Sequence, residues 1–159
     1  MDWRLTTARF VTGVGFDVHA IPEMASQLLE VGYDTHELRA LAGEDPRQSY
    51  GSDLEDAFRT ALHEVGFLPM SSRKAAAILA GEVAGNILGG TQSELEGISE
   101  IWLLMDAEPK VRARPPFDTI SASRVQMERY WPYHEAENKE LVREYARQLI
   151  EMLPKEAKS

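Results

Sequence analysis

The sequence predicts an all-α fold, a compact single-domain bundle of about six to seven helices. Three observations carry this expectation. Apolar residues recur at three- and four-residue spacing along most of the chain, the period of a helix buried on one face. Glycines follow these runs, at Gly32, Gly43, Gly66 and the pair Gly89-Gly90. A left-handed glycine closes a last helical turn without a Cβ clash. Capping signals come next: Asp34-Thr35-His36-Glu37, Ser52-Asp53-Leu54-Glu55 and Thr91-Gln92-Ser93-Glu94 each place a Ser, Thr or Asp three residues before a Glu.

The first helix is expected over residues 2–12, with Trp3, Thr7, Phe10, Val11 and Val14 in phase. The β-branched stretch 10–16 also reads as a strand, which admits one short strand pair confined to residues 4–20. A second helix starts at Pro22, which has no amide hydrogen to lose in a first turn. Met24, Leu28, Leu29 and Val31 are its expected core stripe. A short third helix, 35–42, buries Leu38 and Leu41. After a polar loop at 44–51, a fourth helix carries Leu54, Phe58, Ala61, Leu62 and Val65 on one face.

A fifth helix is expected over 72–88 and a sixth over 93–105, the latter with Leu95, Ile98, Ile101, Trp102 and Met105 inward. Prolines 109, 115 and 116 bracket a basic break. A weaker helix covers 119–130, and Trp131-Pro132 marks a boundary because a residue before proline avoids helical angles. The last helix starts at Pro132, with Leu141, Val142, Tyr145, Leu149 and Leu153 on one face. Pro154 is expected to end it, so that residues 1–153 form the domain and 154–159 a frayed tail.

The fifth helix has an unusual texture. Ala77, Gly81, Gly85 and Gly89 repeat every four residues beside the row Ala76, Ala80 and Ala84. Interior glycine costs roughly 1 kcal/mol relative to alanine in an exposed helix. Close approach of a neighbouring helix is the expected compensation, with a self-association seam or a small-molecule groove along this face as the alternatives. The expected role is a central packing helix.

Composition narrows the function classes. The chain has 159 residues, no cysteine and a formal charge of −9. Without cysteine there are no disulfides, thiolate metal sites or cysteine nucleophiles. The start of the chain lacks the apolar run of a secretory signal, and the most apolar stretch, 75–88, is interrupted by Glu82 and Asn86. A cytoplasmic protein that does not engage membranes is the expectation. Residues 15–66 hold eleven acids against three bases, net −8, whereas 110–129 is net +3. An acidic half repels phosphates, so nucleic acid is not an expected partner. A helix-turn-helix reading of 28–43 fails likewise, since the second helix offers only Arg39 as a base.

No chemical motif emerges. The pairs His36-Glu37, His63-Glu64 and His134-Glu135 lack a second histidine four residues on; Ala40, Phe67 and Asn138 stand there instead. His134 with Glu137 and Asn138 makes at most a weak polar site, so no metal is expected. No dinucleotide, phosphate-loop or serine-elbow pattern occurs, and no cofactor or catalytic residue is assigned. Arg129-Tyr130-Trp131-Pro132-Tyr133-His134 stands out, because Tyr, Trp and Arg dominate binding hot spots. The competing reading makes Trp131 a core anchor at a helix corner.

The resulting expectation is a non-catalytic helical interaction module that binds a protein, one of basic character. Its candidate contacts are Glu37, Asp56, Arg129, Tyr130, Trp131, Tyr133 and His134. An immunity- or antitoxin-like inhibitor of a basic partner is one concrete version. The alternative is a small helical enzyme or ligand-binding protein with carboxylates lining a pocket.

Overall fold

Eight α-helices and three short 3-10 turns make up the computed structural model, which describes residues 1–156 and side chains as far as Met152. There is no strand among the described residues. The helices are α1 (Trp3–Thr12), α2 (Ile21–Glu30), α3 (His36–Ala42), α4 (Gly51–Glu64), α5 (Ser72–Gly89), α6 (Glu94–Ala107), α7 (Phe117–Tyr130) and α8 (Glu135–Glu156). The all-helical class stands. The count of six to seven was one or two low, and the strand pair within 4–20 is overturned.

At the N-terminus Phe10 to Thr12 complete α1 rather than a strand. Helical hydrogen bonds outweigh the β-branched bias there, and the Thr7 and Thr12 hydroxyls donate back to the Trp3 and Ala8 carbonyls. Gly13 and Gly15 then both take positive φ, which ends any extended path. Of the expected glycine stops, Gly32, Gly66 and Gly90 are left-handed. Gly43 is not: it caps α3 at φ −89°, a conformation open to any residue.

The caps sit one or two residues away from their expected places. Thr35, not Asp34, accepts the Leu38 amide at the start of α3, and Asp34 turns to Arg39 instead. Ser93 and Glu96, not Thr91 and Glu94, form the reciprocal capping box of α6. Helix α4 starts at Gly51 with no side-chain cap, leaving Ser52 inside its first turn. Ser71 caps α5 by accepting the Lys74 amide.

The helices group into two compact units. The first comprises Met1–Thr7 and Gly15–Met70; the second, Ala8–Val14 and the chain from Ser71 onward. In the first, α2, α3 and α4 pack on one another. Leu28, Leu38, Leu54, Phe58 and Leu62 are fully buried. Around them Phe16 stacks on Phe58, and Phe67 meets Trp3 face to face and Tyr33 edge-on. The buried face of α2 is Ile21, Pro22, Ala25 and Leu28; of the expected stripe Leu28 is fully buried, and Met24 and Leu29 are half-buried. Val31, at 63% exposure, is outside it. A 3-10 turn at Val18–Ala20 leads directly into α2, whose first two residues, Ile21 and Pro22, are buried.

In the second unit α5 packs chiefly on α8 and α6. Ten of its residues are buried, from Ala75 through Ile87, consistent with a central packing helix. The small-residue stripe is packed only in part: Ala76, Ala77, Ala80, Gly81 and Ala84 are buried, whereas Gly85 and Gly89 are exposed. A Cβ at Gly85 or Gly89 would meet nothing within 4 Å. It is Gly97 on α6 whose missing Cβ makes room, for the side chain of Ile87. Leu95 and Leu141, expected inward, are exposed. The buried faces are Ile98, Ile101, Trp102, Leu104 and Met105 on α6, and Val142, Tyr145, Ala146 and Leu149 on α8.

Polar links join these helices. Arg143 on α8 reaches Glu94 at 2.9 Å, and Arg9 reaches Glu100 at 3.2 Å. The basic break forms a 3-10 turn, Pro109–Ala113, that buries Val111. Its Arg112 and the α7 residue Arg124 both bind Asp106, at 2.7 and 2.9 Å. Arg124 also lies over the Trp102 ring, whose buried indole N–H meets no acceptor among the described residues. Helix α8 starts at Glu135, after a 3-10 turn at Trp131–Tyr133, and continues through Pro154 to Glu156. The fixed φ of proline lies in the helical range, and the hydrogen bond it forfeits falls in the last described turn, where helices fray. The Leu153 side chain and the last three residues of the expected tail lie outside the described residues.

Candidate functional site

The sequence-predicted contacts fall at two places, one in each unit. In the first, α3, α4 and the loop between them enclose an open cleft of about 390 Å³. Its apolar floor includes Leu41 from α3 and Leu54 from α4, both 2% exposed. Its polar wall carries three carboxylates, Glu37, Glu44 and Asp53, with Tyr50 at 79% exposure on the rim.

Local structure explains each position. The Thr35 cap starts α3, which puts Glu37 in its first turn; Asp53 holds the equivalent place on α4. Acids are favoured there because the free amides of a helix N-terminus are partly positive. Glu44 follows Gly43 into the loop, where its carboxylate accepts the Ser49 hydroxyl at 2.7 Å. Sequence reasoning missed Glu44 and Asp53, and found Glu37 by charge alone. Asp56 is exposed on α4 but does not line the cleft.

Asp34 and Asp45, beside the cleft, are paired with arginines of the unit, and the cleft carboxylates are not. Arg39 grips both Asp34 oxygens at 2.6 Å and holds that carboxyl below its usual range, chiefly through the hydrogen bonds. Arg47 likewise pairs with Asp45 at 3.2 Å. No basic side chain pairs with Glu37, Glu44 or Asp53 among the described residues. The first unit as a whole holds twelve acids against four arginines, a net charge of −8 out of −9 for the chain.

The aromatic cluster of the second unit is divided by burial. Trp131 is 8% exposed and belongs to the core, whereas Tyr133 is 79% exposed. Tyr130 and His134 line a groove of about 470 Å³ between α7 and α8, together with Glu137, Asn138, Met127 and Leu141. Arg129 is exposed outside it. The structure thus does bring His134, Glu137 and Asn138 together, as their helical spacing suggested. All four histidines are exposed, and among the described residues no three His, Cys, Asp or Glu side chains are grouped to hold a metal. No described helix is long and apolar enough to cross a membrane.

Comparison of the chain with protein-family models, curated proteins and solved structures gave no match.

Proposed function

We propose that this is a non-catalytic interaction module whose acidic first unit binds a basic protein, in the manner of an immunity- or antitoxin-like inhibitor. The observation that carries the reading is the segregation of charge: a net −8 sits in the first unit, while its cleft carboxylates are left without bases. Such a surface steers an oppositely charged partner through long-range attraction and rejects phosphate-bearing ones. On this reading the module works in the cytoplasm, and Tyr130, Tyr133, Arg129 and His134 supply a second, aromatic contact region.

The test is a quantitative comparison of proteins retained from the source cell by the wild type and by the double variant Glu37→Lys/Asp56→Lys. A basic protein held by the wild type and lost from the variant supports the reading. Retention of the same proteins by both overturns it.

One observation favours a second reading, a ligand-binding protein or small enzyme: the α7–α8 groove places Glu137 beside His134 and the amide of Asn138. Polar groups converging on a partly apolar groove are the usual form of a small-molecule site. A turnover or small-ligand binding assay lost in Glu137→Gln and retained in Glu37→Gln would favour it.

A further inference from the structure

We infer that the α3–α4 cleft is the receptor for a single arginine side chain projected by the basic partner, an inference that rests on the reading above. Charge complementarity names the occupant, and three features of the cleft agree. Its floor is apolar at Leu41 and Leu54, which suits the methylene stem of a long side chain. Its wall offers Glu37, Glu44 and Asp53, acceptor groups that no base of this chain occupies among the described residues. Its rim carries Tyr50, a nearly free ring of the kind on which a guanidinium stacks.

Arginine is favoured over lysine because its planar fork matches carboxylates two bonds at a time while its face stacks on an aromatic ring. The same unit already shows that pairing: Arg39 meets both oxygens of Asp34 at 2.6 Å. The difference is that Asp34 is served by Arg39 from the helix that follows it, whereas the cleft must be served from outside. A carboxylate or phosphate would face three like charges there, and a purely apolar side chain would leave them unengaged.

The experiment is a titration of the ¹⁵N-labelled protein with acetyl-Gly-Arg-Gly-amide at low salt, followed by amide chemical shifts. Matched peptides carry lysine or the neutral arginine analogue citrulline. Shifts confined to residues 37–57, larger for arginine than lysine and missing for citrulline, are expected. Neutralising one wall group, in Glu37→Gln or Asp53→Asn, should weaken the arginine peptide roughly two- to fivefold, the range of an exposed ion pair. Tyr50→Ala should narrow the preference for arginine over lysine. Shifts spread evenly over the acids of the first unit, Glu23, Glu30 and Glu64 included, would overturn the cleft while leaving a diffuse acidic docking surface intact. No shift for any peptide would likewise overturn the cleft. The broader reading fails by a different result, a partner indifferent to Glu37→Lys/Asp56→Lys.

Discussion

Adding one methyl group should move stability in opposite directions at Gly85 and Gly97. Gly85 lies inside α5 and faces open space, since an added Cβ would meet nothing within 4 Å. Alanine is favoured over glycine there by about 0.8–1 kcal/mol, so Gly85→Ala should stabilise by up to about that amount. For a chain of this length that is roughly 2–4 °C in Tm. Gly97 lies inside α6 and is buried. Its added Cβ would fall on Cγ1 and Cδ1 of Ile87, with Val83 Cγ1 3.5 Å away. Both neighbours are 1% exposed, and their branched side chains have nowhere to turn. Overpacking of this kind costs about 1–3 kcal/mol, against a helical gain of about 1, leaving a net loss of up to about 2 kcal/mol. Urea denaturation followed by circular dichroism measures both variants. In the double variant Gly97→Ala/Ile87→Val, which shortens the obstructing side chain, part of the loss should return as a coupling of at least about 0.5 kcal/mol. Gly97→Ala more stable than the wild type would refute the α5–α6 packing described above. A destabilised Gly85→Ala would refute the open face of α5.

Other perturbations discriminate as well. Gly81→Leu, at a buried position of α5, should cost roughly 1–3 kcal/mol by overpacking, measured by the same denaturation; a variant as stable as wild type would imply unfilled space there. Trp131→Ala should cost about 3–5 kcal/mol, whereas Tyr133→Ala should change stability by no more than about 0.5 kcal/mol and act, if at all, on a partner's off-rate. Stability should fall on acidification, because Asp34, Glu94 and Asp106 all titrate below their usual range in the fold. Asp34 is lowered chiefly by hydrogen bonds from Arg39, Glu94 by its own backbone amide and then Arg143, and Asp106 by Arg124 and then Arg112. Each contribution is fully present above the unfolded carboxyl pKa and is lost as pH falls through the lower folded one. Asp106→Asn should flatten that acid limb, and an unchanged pH profile would count against the pairing with Arg124.

The helices were legible in the sequence because their period and their stops are local. Leu54, Phe58, Ala61 and Leu62 recur at helical spacing, and the structure buries all four. Gly32 and Gly66 stop helices for the stereochemical reason the sequence implies. What depends on packing was less legible. Leu95 is as apolar as Ile98, and only the placement of the helices packed around α6 decides that Ile98 is buried and Leu95 is not. The stripe buries Gly81 but leaves Gly85 facing open space, while Gly97, a lone glycine with no repeat around it, makes room for Ile87. The grouping into two units was not legible, since one of its boundaries falls inside α1, between Thr7 and Ala8, where helical periodicity continues unbroken. Of the candidate site, the acidic character of the first half was plain, and Glu37 was found. The cleft was not, because Glu44 and Asp53 meet only through the loop that turns α3 into α4. Trp131 could not be sorted from Tyr133 by residue type, as aromatic rings serve cores and contacts alike.

The measurement that bears most directly on the central claim is the association rate between the wild type and a basic partner recovered from the source cell, followed by stopped-flow fluorescence as salt is raised from about 0.01 to 0.5 M. Over that range the screening length shrinks from about 30 Å to only a few ångströms. If the net −8 of the first unit steers association, the rate should fall steeply with salt, and Glu37→Lys/Asp56→Lys should flatten the dependence while leaving urea stability unchanged. A rate indifferent to salt, with the same value in the charge-reversed variant, would contradict the claim that the acidic surface recognises its partner.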